Sequence, residues 1–131
     1  MPSRFGVFTT LAVMLFAQNI RADGYITANE TRMYSHAFAT LFLAEVYGMN
    51  QRQDVRQALQ KAVNLIVVSQ NQQGGWRYQP HVEDSDMSVA ACQVMALRAA
   101  RNIGLQVPRS TIDRAVKYVR DSAVRPEDPY F

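Results

Sequence analysis

At 131 residues with 48% hydrophobic side chains, the chain is one domain with enough apolar material for a packed core. Its formal charge is +3, from 14 basic and 11 acidic residues spread along the chain. With no concentrated basic patch or base-reading motif, the expectation is no nucleic-acid partner. The single cysteine, Cys92, leaves no internal disulfide and no multi-cysteine zinc site.

The first predicted element covers residues 5–17, a run without charge after Met1-Pro2-Ser3-Arg4. It is short for a bilayer span. It reads either as a signal peptide ending near residue 22 or as a buried helix of the fold. The helix is preferred because a turn in phase with a later one follows it, so the cytoplasm is favoured over export. Asn29 or Thr31 is available to cap the next helix, and Asn29-Glu30-Thr31 is a glycosylation sequon only in a secreted chain.

Residues 33–47 are apolar on nearly every side, which predicts a helix enclosed all round and ended by Gly48. Asp54 is the expected cap of the following helix. There Val55, Ala58, Leu59, Ala62, Val63 and Ile66 form a one-sided stripe. A polar glycine turn over residues 71–80 leads to Glu83-Asp84-Ser85-Asp86, an acidic helix start. Residues 87–103 again read as an enclosed helix, containing Cys92 as a buried thiol, with Gly104 as its stop. Ser110 or Thr111 is the expected cap of a last helix with the stripe Ile112, Ala115, Val116 and Val119. No strand-period run occurs, so the expected class is all-α.

The chain repeats itself. Leu59 to Ile66 matches Ile112 to Val119 at an offset of 53 residues. The stretch from Gln18-Asn19 to Gly24-Tyr25 is similar to that from Gln70-Asn71 to Gly75-Trp76, with one residue more in the first copy. Units near 5–31, 32–82 and 83–131 make about two and a half helical hairpins in a single partial domain. Alternating enclosed and half-exposed helices predict two concentric layers, and a flank left uncovered unless another chain or a longer toroid supplies it.

Residues 61–76 resemble the QW repeat of squalene and hopene cyclases, within the prenyltransferase and squalene-oxidase repeat family and a bacterial branch of it. Lys61, Ala62, Ile66, Gln70, Gly74 and Trp76 fit the pattern, and Leu65 stands where the family has an aromatic. The resemblance implies an α/α toroid. Gln70 is expected to bond backbone at a neighbouring helix end, Trp76 to fill the gap between hairpins, and Gly74 to permit a tight turn.

Asp84, Ser85 and Asp86 are similar to the first three positions of the D-x-D-D motif of class II cyclases, with Met87 in place of the last aspartate. That likeness makes Asp86 a candidate proton donor, with Asp84 beside it. The plainer reading is helix capping. The related zinc site of protein prenyltransferases is not expected, since Asp86 stands where its cysteine would be and no histidine follows His81. His36 is either a cavity-wall residue or a bonded core histidine; it joins Tyr34 and Tyr78 as candidate ligand contacts. The expected function is a non-catalytic repeat protein, without cofactor or metal, that binds an isoprenoid or other hydrophobic ligand or a partner, including a second copy. The alternative is a fragment of an isoprenoid cyclase or prenyltransferase.

Overall fold

The computed structural model describes residues 11, 20–28 and 30–123. Most of the 5–17 helix, the candidate signal peptide up to residue 19 and Asn29 lie outside the described residues. Among them the chain is all-α: α1 (Arg32–Asn50), α2 (Gln53–Ser69), α3 (Met87–Asn102) and α4 (Arg109–Asp121). The only extended pairing among them is an isolated bridge between Ile20 and Ile26.

α1 and α2 form an antiparallel hairpin: His36 near the start of α1 meets the Ala62 carbonyl in the second half of α2. α1 and α3 run parallel and pack most closely. Tyr34 meets Ser88 at their starts, and Gly48 faces Ile103 at their ends. The core between these helices is aliphatic, built from Met33, Leu43, Leu59, Ile66, Val89 and Leu97, with Trp76 closing it from the turn side. Burying one such side chain contributes roughly 1.5–3 kcal/mol.

Three helix ends differ from the sequence expectation. α1 continues through Gly48 to Asn50, and Gln51 makes the left-handed exit at φ 52°. Gly48 serves approach instead, because a Cβ there would stand 3.4 Å from Ile103 Cγ2. α2 begins at Gln53 with Arg52 as its N-cap. Asp54 sits inside the first turn, held by the Arg52 guanidinium at 2.7 and 3.1 Å. α4 begins at Arg109 with Pro108, not Ser110 or Thr111, before it. Proline presets the φ that a helix entry needs, so no side-chain cap is required. The α3 stop at Gly104 matches its sequence: Gly104 N–H bonds Arg101 O at 3.0 Å, and Leu105 N–H bonds Ala100 O at 3.0 Å.

Burial also departs from expectation. α1 exposes Phe38 (56%) and Met49 (70%), and α3 exposes Met95 (55%), so neither helix is enclosed all round. On α4 only Thr111 and Ala115 are buried, while Val116 (48%) and Val119 (44%) stay open. The reason is geometric: α4 rests on α3 and the 70–76 turn, and no described element lies on its far side.

Two glycine turns share one hydrogen-bond pattern. Gly24 N–H bonds Arg21 O at 2.9 Å and Arg21 N–H bonds Tyr25 O at 3.0 Å. Gly74 N–H bonds Asn71 O at 3.0 Å and Asn71 N–H bonds Gly75 O at 3.1 Å. The register is therefore Gly24 with Gly74 and Ile20 with Gln70, which corrects the alignment of Gln18 with Gln70. Each turn sits hard on a helix carbonyl. A Cβ on Gly24 would stand 2.5 Å from Lys61 O, and one on Gly74 would stand 2.3 Å from Arg114 O. Both glycines hold φ near +90°, a region closed to side chains on steric grounds. Gly74→Ala is expected to cost roughly 2–4 kcal/mol in urea unfolding, from backbone strain plus the clash. Gly104→Ala meets nothing within 4 Å. It should cost only the left-handed penalty, about 1 kcal/mol.

Candidate functional site

The starts of α1 and α3 gather three of the sequence candidates: Tyr34, Tyr78 and Asp86. Asp86 precedes α3 in extended backbone, and its Oδ1 accepts from the Ser88 and Val89 amides at 2.9 and 3.1 Å. The Ser88 hydroxyl donates to the same oxygen at 2.5 Å. That commits the one Ser88 hydrogen, so Tyr34 OH is the donor across its 2.5 Å contact with Ser88 Oγ. Tyr78 OH reaches Asp86 Oδ2 at 3.4 Å.

The two tyrosine rings lie 6.1 Å apart, with Arg77 over Tyr78 at 4.6 Å and Arg32 at 5.9 Å. The Tyr78 carbonyl accepts from Met33 N–H at 3.0 Å, and Gln93 Nε2 donates to Met33 O at 2.9 Å. The loop before α3 thus holds the first turn of α1 by backbone, hydroxyl and ring together. Ser88, Arg32 and Arg77 were not among the sequence candidates. An Asp-x-Ser at a helix start was the available signal for Ser88.

Asp84 stands apart from Asp86. It is exposed, caps its neighbour through Ser85 N–H at 2.9 Å, and pairs with Arg77 at 3.5 Å. A surface pair of that length contributes little. The Asp84 carbonyl, not its carboxylate, is the anchor, accepting from Asn71 Nδ2 at 2.8 Å.

His36 lies in the core. Its Nδ1 accepts from Ile26 N–H at 3.1 Å, and its Nε2 donates to Ala62 O at 2.9 Å. Both ring nitrogens are engaged and the side chain is fully buried, so it offers nothing to a ligand. Burial lowers its pKa to about 4.

Gln70 and Trp76 tie the ends of two helices. Gln70 Nε2 donates at 2.9 Å both to Gly74 O in its own turn and to Thr111 O in the first turn of α4. Trp76 Nε1 donates to Ile66 O in the last turn of α2 at 2.8 Å. The Arg114 guanidinium adds a bond to Asn71 O. The Lys61 side chain is exposed, and its contribution to the turn is its backbone carbonyl.

The chemistry open to this cluster is limited. The Ser88 hydroxyl, and after it the Val89 amide, hold the Asp86 carboxyl below the usual carboxylate range. It is ionised at neutral pH and has no proton to give. No imidazole touches Ser88 to activate it. No group of three histidine, cysteine or acidic side chains that could hold a metal occurs among the described residues. The Cys92 thiol is pushed up by burial, which keeps it protonated.

A groove of about 520 Å³ runs between the second halves of α1 and α3. Leu41, Met49, Met95 and Ile103 line it, with Glu45 and Arg98 among its polar groups. No helix among the described residues is long and apolar enough to cross a membrane. Comparison with protein families, curated proteins and solved structures finds no match to this chain.

Two outcomes follow from this geometry. The folded pKa of His36 lies below the unfolded value near 6.5, so the unfolded chain takes up the proton first. Stability should be full above pH 6.5 and fall towards pH 4, with about 2 kcal/mol lost by pH 5. Thermal melts across that range check it, and His36→Gln, which keeps one donor and one acceptor, should flatten the slope. Asp86→Ala should cost about 1 kcal/mol in the same assay, as a lost helix cap does.

Proposed function

We propose that this chain is a non-catalytic repeat protein of the squalene-cyclase-like type, whose α1 and α3 face binds a hydrophobic ligand or partner. The observation that carries the reading is the repeated docking of a glycine turn on a helix carbonyl, Gly24 on Lys61 and Gly74 on Arg114. Helical hairpins stacked at a constant step produce such a recurrence. Gln70 reaching Thr111 supports the same reading, because it ties consecutive hairpins at their ends. In a curved stack of this kind α1 and α3 form the inner wall, which agrees with the apolar side chains they leave open.

A catalytic role is opposed by the state of Asp86. An acid that protonates a polyene must keep its proton, and this carboxyl is held ionised by its hydrogen bonds. Its geometry is that of a cap joined to two tyrosines. Tyr34 and Tyr78 serve the joint between α1 and the loop before α3.

The test is binding of an apolar fluorescent dye and its displacement by farnesol. Saturable binding is expected, weakened about tenfold or more by Met95→Asp, which places a charge in the groove. Asp86→Asn should leave the affinity unchanged. Absence of both saturable dye binding and a protein partner on this face, or turnover of a polyprenyl substrate that Asp86→Asn abolishes, would overturn the reading.

A further inference from the structure

We infer that the α1 and α3 face is the dimer surface of the protein, with two copies related by a two-fold axis running along these helices. This rests on the reading above, that the face takes an apolar ligand or partner, and it names the partner as a second copy of this chain.

The inference begins with charge. Glu45 and Arg98 are exposed on the groove, and neither has an ion-pair partner among the described residues. Their heights on the helices are set by the parallel packing. Tyr34 lies level with Ser88, and Gly48 with Ile103, a register of 54 to 55 residues. By that register Glu45 lies within one turn of Arg98, on the neighbouring helix.

Symmetry decides what such a face can meet. A two-fold axis parallel to the helices lays α1 of one copy over α3 of the other at unchanged height. Glu45 then faces Arg98 of the second copy, and Arg98 faces its Glu45. An axis across the helices would instead set α1 on α1, with like charges opposed near the centre. The first arrangement is self-complementary, as an isologous interface must be.

The apolar part fits the same geometry. Met49 on α1 and Met95 on α3 line the groove and are more than half exposed, as is Phe38, about two turns before Glu45 on α1. Methionine side chains are unbranched and adaptable, so Met49 and Met95 can fill the groove from the opposite copy. The two charge pairs would set register and orientation, and the apolar strip would supply most of the attraction.

Sedimentation equilibrium on the wild-type chain, Glu45→Arg, Arg98→Glu and an equal mixture of the two variants tests this. The wild type should dimerise. Each variant alone should associate at least about tenfold more weakly, since like charges then face each other twice. The mixture should recover dimers, because every facing pair is again of opposite sign. Circular dichroism checks that the variants fold, as expected for exposed positions. A monomeric wild type, or a mixture no stronger than its components, would overturn the inference. Dye binding by a monomeric wild type would leave the ligand reading intact, whereas loss of both dye binding and dimer would end both.

Discussion

The structure depends on backbone meeting backbone with no side chain between. At Gly24 and Gly74 a turn lies directly on a helix carbonyl, closer than a methyl group allows. Those contacts set how near each turn comes to the helix it touches. The polar ties then fall within reach: Gln70 on Thr111, Arg114 on Asn71 and Trp76 on Ile66. The Trp76 bond satisfies a carbonyl in the last turn of α2, where regular helix bonding gives out. The junctions are held by hydrogen bonds of fixed geometry, and the helix interiors by non-directional apolar burial.

At the opposite sort of joint, where α1 and α3 begin, the chain uses ionised and aromatic groups. Asp86 organises the start of α3 and, through Ser88 and Tyr34, the start of α1. A carboxylate engaged in this way is a firm fastener and stays ionised near neutral pH, because the bonds that hold it are bonds to its charged form. The carboxylate of the acidic motif that engages backbone amides at the start of α3 is that of Asp86. The groove between α1 and α3 is lined mainly by apolar side chains, with Glu45, Arg98 and Asn102 among them.

Much of the fold was legible because periodicity records burial. The stripe on α2 and the Gly104 stop follow directly from residue spacing. Helix starts were harder. Asp54, Ser110 and Thr111 are good caps by type, but Arg52 and Pro108 hold those places, and neither helix start has a side-chain cap bond. Gly48 looked like a stop because glycine commonly is one; its use against Ile103 depends on a contact between distant parts of the chain. For the same reason spacing alone could not separate an enclosed helix from one with an open flank. Phe38, Met49 and Met95 are as apolar as Leu43 and Leu97, and only neighbours distinguish them. Asp86 was legible as a cap, whereas its link through Ser88 to Tyr34 spans 54 residues and has no local signature.

The lone tryptophan gives the molecule an internal optical gauge. Trp76 is sealed from solvent at the junction of α2, the glycine turn and the approach to α3, with its indole nitrogen fixed to Ile66. An indole in such surroundings emits at short wavelength and shifts to the red on wetting. Its emission therefore reports the integrity of one joint, and the parting of α2 from the glycine turn can be watched by light without attaching any label.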